Sequence, residues 1–182
     1  MQKILATVFV SCSVLFSSQA FCQNDGGFKP GGYGSIGLMQ AYYKENAFNF
    51  NNSMAALNLG YQINPNFAVE GVAAAAVNNA NFYVGSTSIT AKVGSAYGAY
   101  AKIILPATEN FAFFARLGAT HGNASASSRY GSAWAGGTSS SFGVGAQFNL
   151  TKDMFGQVDY MSYYRNADVS VSGPSVSIGA RF

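Results

Sequence analysis

The sequence predicts an all-β protein, namely an eight-stranded antiparallel up-and-down transmembrane β-barrel. Three observations predict this class: a hydrophobic composition with little charge, segments that alternate with a period of two residues, and connections that are alternately short and long. Of the 182 residues, 49% are hydrophobic and only 9% are charged, whereas soluble domains carry about 25% charged residues. Intrinsic disorder is excluded, because it requires low hydrophobicity and high net charge.

The charge pattern narrows the class of partners. The net charge of +3 comes from scattered Lys and Arg, without the basic cluster that is typical of nucleic-acid binders. No interior stretch reaches the roughly 20 apolar residues that a membrane-spanning helix needs. A membrane protein built from strands is therefore the first expectation, and nucleic acid is not an expected partner.

The N-terminus has the pattern of an export signal. Lys3 precedes an apolar run from Ile4 to Phe16, and small or polar residues follow it, as in a secretory signal peptide. We expect residues 1–22 to be the signal, with cleavage after Ala20 or Cys22, and residues 23–182 to be the barrel domain. The mature chain then keeps at most one cysteine, so no disulfide or thiolate metal site is expected.

Eight segments alternate between apolar residues and small or polar residues. The last is the clearest, because Val176, Ile178, Ala180 and Phe182 share one face while Ser175, Ser177, Gly179 and Arg181 share the other. Such alternation indicates strands, since successive side chains point to opposite sides of a sheet. The segments cover residues 32–44, 54–63, 67–73, 97–103, 111–120, 142–150, 157–164 and 175–182.

The connections alternate in length along the chain. Three are short and rich in Pro, Asn and Asp, at residues 64–66, 106–110 and 151–153, as expected for tight turns. Four are long, at about residues 45–53, 77–90, 121–138 and 165–174. Short turns at one end and long loops at the other are the construction of outer-membrane barrels, whose smallest members have eight strands.

The composition of the polar face indicates whether that face lines the lumen or forms the exterior of the barrel. That face is crowded with Gly, Ser and Ala and is too poor in charge for a soluble exterior, so we assign it to the lumen and the apolar face to lipid. Buried charges need partners, and we expect Glu70 or Asp159 to pair with Arg116 or Lys102. A filled lumen leaves no room for a wide channel. The expected interior network comprises Glu70, Lys102, Arg116, Gln147, Asp159 and Arg181.

Aromatic residues near the segment ends predict girdles at the lipid–water boundary, where an apolar ring and a polar tip are both accommodated. β-Propensity alone explains part of this enrichment. The residues concerned are Tyr33, Tyr42, Tyr43, Tyr61, Phe67, Phe111, Phe148, Phe155 and Phe182.

The chain resembles the small outer-membrane β-barrel family of opacity-type and attachment-type surface proteins, which is related to the barrel of outer membrane protein A. The resemblance rests on Gly31-Gly32-Tyr33-Gly34, Phe113-Phe114-Ala115-Arg116-Leu117-Gly118, Gly143-Val144-Gly145-Ala146-Gln147-Phe148 and the closing Val176 to Phe182. It implies a bacterial outer-membrane location and a terminal strand that the barrel-assembly machinery reads, with Val176, Ile178 and Phe182 as the signal. Ala180 departs from the family pattern, since an aromatic residue is common there.

Fold does not fix function, and three functions stay open. The first is a structural, adhesive or host-interaction role through four surface loops, with Tyr83, Arg129, Tyr130 and Trp134 as candidate contacts. The second is a narrow solute pore. The third is a lipid-modifying enzyme, which would need a nucleophile with an orienting acid. His121 is the single histidine, and no Gly-x-Ser-x-Gly elbow is present.

We therefore expect no catalytic activity and no cofactor or metal. The expected partners are outer-membrane lipid, the assembly machinery and a host or envelope ligand of the loops. The chain is expected to be a monomer.

Overall fold

The computed structural model describes residues 28–45, 48–77, 80–84, 87–128, 131–165 and 169–182. These ranges contain nine strands: β1 (Gly31–Glu45), β2 (Phe48–Asn64), β3 (Phe67–Ala76), β4 (Ala80–Val84), β5 (Thr87–Pro106), β6 (Phe111–Ser128), β7 (Gly131–Asn149), β8 (Met154–Arg165) and β9 (Val169–Arg181). The expected signal peptide lies outside the described residues. No helix in the described ranges is long and apolar enough to cross a membrane.

Antiparallel pairing closes the strands into a barrel. The ladder runs β3-β2-β1-β9-β8-β7-β6-β5, and β3 also pairs with β5. The ring therefore has eight strands, as expected from the sequence. The short β4 pairs with the first residues of β5, so that Ala80 lies opposite Ala91. Within the described residues each strand of the ring pairs with two neighbours, and such closure is the condition for strands to cross a bilayer.

The two ends of the barrel differ. At one end, here called the turn end, three tight connections join β2 to β3, β5 to β6 and β7 to β8. The Asn64 side chain accepts a hydrogen bond from the Phe67 backbone N–H at 2.9 Å, which fixes the first turn. Phe182 also lies at this end, where its backbone N–H donates to the Gly32 carbonyl at 2.9 Å. The opposite end is here called the hairpin end.

At the hairpin end the strands run far beyond the segments that alternation predicts. Ser125 pairs opposite Trp134, and Tyr83 pairs opposite Ser88. The expectation of long loops at about residues 45–53, 77–90, 121–138 and 165–174 was therefore wrong for most of the described residues in these ranges. An antiparallel ladder is held by backbone hydrogen bonds, so Ser- and Gly-rich strands continue it without any apolar pattern.

The apolar face points outward. Large hydrophobic side chains stand exposed all round the described barrel, among them Leu38, Leu59, Phe113, Leu117, Val144 and Val176. The buried polar side chains on the opposite face of the strands include Glu70, Lys102, Arg116, Gln147 and Asp159, which lie in the lumen. This arrangement is that of a barrel whose exterior faces hydrocarbon.

Five of the nine residues predicted for the aromatic girdle lie at the turn end. Tyr42 and Tyr43 lie instead near the hairpin end of β1, where both are half-buried and Tyr43 lines a cavity of the lumen. Phe111 lies against Phe148 with ring centroids 4.9 Å apart, and Tyr61, Phe67 and Phe182 are exposed nearby. Tyr33 and Phe155, however, are buried in the lumen and meet edge to face at 5.9 Å. Placing these two in the girdle was wrong, because the register of β1 and β8 turns them inward.

Candidate functional site

Four charged side chains meet in the lumen in the turn-end half of the barrel. Lys102 of β5 lies 3.0 Å from a Glu70 oxygen of β3. Arg116 of β6 bridges the two acids: its Nε lies 2.6 Å from Glu70 Oε2 and its Nη1 lies 2.6 Å from Asp159 Oδ2 of β8. We call Glu70, Lys102, Arg116 and Asp159 the charged cluster. Its two acids and two bases cancel in formal charge.

Neutral groups complete the hydrogen bonding of the two acids. The Tyr33 hydroxyl donates to Glu70 Oε1 at 2.6 Å, and the Ser175 hydroxyl donates to Asp159 Oδ1 at 2.6 Å. Buried carboxylates are tolerated when ion pairs and donors replace their water. β1 and β9 thus contribute to a site whose charges come from other strands.

The two cations are held in a similar way. Gln157 Oε1 accepts from Arg116 Nη2 at 2.8 Å and from Lys102 Nζ at 3.3 Å. Gln147 Oε1 also accepts from Lys102 at 3.3 Å. The Phe114 ring lies beneath both cations, 4.3 Å from Lys102 Nζ and 4.9 Å from the Arg116 guanidinium carbon, which adds cation–π attraction. The cluster therefore crosses the lumen from wall to wall.

The structure brings together five of the six residues that the sequence assigned to the interior network, all except Arg181. Arg181 lies apart at the turn end, where its Nη2 donates to Asn149 Oδ1 at 2.6 Å. Its guanidinium also lies 4.9 Å from the Phe155 ring centroid. Arg181 is thus a half-buried residue at the turn-end mouth of the lumen, opposite Tyr33, and its described hydrogen bond goes to Asn149 and not to the charged cluster.

Sequence reasoning missed the role of Tyr33. Its partner in the register is Gly60 of β2, and a Cβ at that position would meet the Tyr33 ring. The glycine thus provides the space in which the phenol reaches Glu70. The sequence did contain an indication of this role: Tyr33 and Ser35 are two residues apart and therefore lie on the same face of the strand, the face that carries small and polar residues. The prediction instead placed Tyr33 in the aromatic girdle.

The expected assembly residues lie on the outer surface of β9. Val176 and Ile178 are exposed, and Phe182 is 84% exposed. They form one outward stripe along the strand that closes the barrel against β1. The arrangement leaves their side chains accessible from the lipid side.

The candidate loop contacts take different places. Tyr83 lies in β4 and Trp134 in β7, so describing them as loop residues was wrong, since the ladder extends past both. The side chains of Tyr83 and Trp134 are not among the described parts of the structure. Arg129 and Tyr130 lie wholly outside the described residues. Two cations of the hairpin end are described: Lys44 and Arg165 are exposed and flank Ser170 on neighbouring strands.

His121 lies on the outer face of β6. Its ring stacks on Tyr97 with centroids 5.0 Å apart, and Nδ1 is 2.9 Å from the Thr138 hydroxyl. A nucleophile system would need an acid to orient the imidazole, and these described contacts include none. Among the described residues, no three His, Cys, Asp or Glu side chains are grouped so that they could hold a metal.

Comparison with known proteins adds independent information. The model of the outer membrane protein β-barrel domain family matches residues 8–182. A search of curated proteins found no significant match. The chain is similar to Ail, the attachment invasion locus protein of Yersinia pestis, solved in complex with the heparin analogue sucrose octasulfate; identity is 26%, the TM-score is 0.65, and the match covers 85% of this chain and 99% of that chain.

Two more distant structures share the fold. The N-terminal β-barrel domain of OprF from Pseudomonas aeruginosa has 12% identity and a TM-score of 0.61, over 84% of this chain and 98% of that one. Neisserial surface protein A has 19% identity and a TM-score of 0.54, over 82% of this chain and 95% of that one. At these identities the likeness concerns the fold alone.

Proposed function

From the premise that this chain belongs to the family of outer membrane protein β-barrel domains, we propose that it is a surface-interaction protein. In this proposal a closed barrel anchors four β-hairpins outside the cell, and the hairpins bind a partner molecule. The family and its structural neighbours locate the chain in the bacterial outer membrane. In such barrels the short turns face the periplasm and the longer connections face outward, so the hairpin end is the exposed one.

The charged cluster is the observation that carries the proposal. Lys102 is 1% exposed, and its contacts with Glu70, Gln147 and Gln157 fill the middle of the lumen. A barrel blocked in this way is poorly suited to solute transport, since an eight-stranded interior is only wide enough to be filled by side chains. The part of the molecule that remains available for a function is then the exposed hairpin end.

We take a sulfated polysaccharide as the first partner class to test. The similar protein Ail was solved with a heparin analogue. In this chain the exposed Lys44 and Arg165 lie at the hairpin end, on either side of Ser170. Two cations in one row are suited to neighbouring sulfates on a polymer.

The test is binding of whole cells that display the chain to immobilised heparin. Replacing residues 123–136 by an Asn-Gly turn, with equivalent shortening of the other hairpins, is expected to abolish binding while the barrel still folds. Changing only Lys44→Gln and Arg165→Gln is expected to weaken binding about three- to tenfold, since exposed charge contacts contribute up to about 1 kcal/mol each.

The matched control is Lys29→Gln with Lys152→Gln, because both lysines are exposed at the turn end. This control should bind as the unmodified chain does. Binding that survives the shortening of all four hairpins would overturn the proposal. Loss of binding in the turn-end control would show that total charge, and not the hairpin end, is responsible.

A further inference from the structure

The lumen contains a cavity on the hairpin side of the charged cluster. Its volume is ≈ 190 Å³, and we call it the outer cavity. Met39 and Met54, which are 4% and 1% exposed, form its wall together with Ala41, Ala96 and Val171. None of its lining residues is an Asp, Glu, Lys or Arg. The described wall is therefore uncharged and mostly apolar, with Thr120, Asn123 and tyrosine hydroxyls as its polar groups, although the interior of an outer-membrane barrel is usually polar.

The apolar side chains do not fill the space that they surround. Gly122 of β6 lines the cavity, and a Cβ added there would meet no heavy atom within 4 Å. Apolar cavities accept apolar molecules, and an enclosed one of about 150 Å³ holds benzene. The outer cavity is somewhat larger than that.

The floor of the outer cavity is closed. Thr120 lines it and contacts the Tyr100 hydroxyl, to which Ser141 also donates at 3.1 Å. The charged cluster lies beyond this floor, toward the turn end. A molecule in the cavity can therefore come only from the hairpin end and does not pass through the barrel.

We propose that the outer cavity binds a small, uncharged, apolar molecule of about the size of one or two aromatic rings. The thioethers of Met39 and Met54 adapt their shape readily and pack well on aromatic rings, and the Tyr163 ring lies on the same wall. A charged guest would lose its water without gaining an ionic partner. Lys44 and Arg165, the cations of the proposed polysaccharide contact, do not line this site, so each proposal can fail without the other.

Methionine methyl resonances give a direct test. The full chain, labelled at the methionine methyl carbons and folded in phospholipid nanodiscs, is titrated with benzene. Met39 and Met54 are expected to shift and to saturate. Met154, which is exposed to lipid at the turn end, reports benzene that merely dissolves in the bilayer. Shifts at Met39 and Met54 that only follow Met154 without saturating, or no shifts at all, would overturn the proposal.

Filling the cavity provides the second arm. Gly122→Leu places a side chain in the open space and is expected to weaken benzene binding at least tenfold. Gly71→Leu is the matched control, because Gly71 is exposed on the outer face of β3, and it should bind normally. If Gly122→Leu does not show the gel shift of a folded barrel, Ala96→Leu makes the same test. Unchanged binding in the folded variant that fills the cavity would also overturn the proposal.

Discussion

Arg116 shows how a single residue holds several strands together through charge. Its guanidinium contacts Glu70 of β3 and Asp159 of β8, each at 2.6 Å, and also Gln157. In a buried site such contacts offset the cost of removing charge from water, and they gain little beyond that. The informative quantity is therefore the effect of leaving one charge without its partner.

We predict that Arg116→Met lowers the free energy of unfolding by about 3–5 kcal/mol, because it leaves two buried acids facing a single cation. Adding Asp159→Asn restores equal numbers of acids and bases, through Glu70 and Lys102, so the double variant should be more stable than the single one. Denaturant titration of the barrel in lipid vesicles measures both. A double variant that is less stable than Arg116→Met would contradict the assignment of Asp159 as the partner of Arg116.

At the scale of the strands, the sequence predicted those parts of the strands in which apolar and polar residues alternate with a period of two. β9 and the barrel part of β6 follow that alternation, because one face meets lipid and the other the lumen. The outer parts of β6 and β7 are rich in Ser, Gly and Ala, lack a regular row of large apolar residues, and stay paired through their backbones as far as Ser128 and Gly131. No side-chain pattern reports such pairing, so these parts were expected to be loops.

The terminal strand β9 permits a prediction about assembly. Phe182 extends its outward stripe, while its backbone N–H bonds to Gly32 independently of the side chain. Phe182→Ser should therefore refold in detergent as the unmodified chain does, yet give less folded barrel in the outer membrane of living cells.

Heat-modified migration on gels measures the folded fraction in both settings. The control is Phe148→Ser, which removes an exposed phenylalanine from β7 at the same end of the barrel. Equal cellular yields for the two variants would contradict a recognition role for Phe182. If both variants lost the same folded fraction during refolding in detergent, the effect of Phe182→Ser would be explained by lost lipid contact and not by recognition.

At the scale of the whole molecule, scarcity of charge already indicated which face is outward. With 9% charged residues, the chain cannot cover a soluble exterior, and the few interior charges had to meet within a narrow lumen. The outer cavity could not be predicted from composition or alternation. Alternation turns Met54 inward, but an open volume depends on the summed sizes of side chains from nearly every strand of the ring.

The closed lumen leads to a prediction about conductance. In planar bilayers the unmodified chain should give no discrete current steps at either low or high salt. Salt screens exposed ion pairs but has little effect on buried ones, and every member of the charged cluster is buried. Replacing Glu70, Lys102, Arg116 and Asp159 together by alanine, with Tyr100→Ala to open the Tyr100–Thr120–Ser141 layer as well, should produce small current steps. Leu59→Ala on the lipid face should not. Steps in the unmodified chain that appear only at high salt would mean that the cluster is wetted and opens, and the barrel would then have to be regarded as a gated pore.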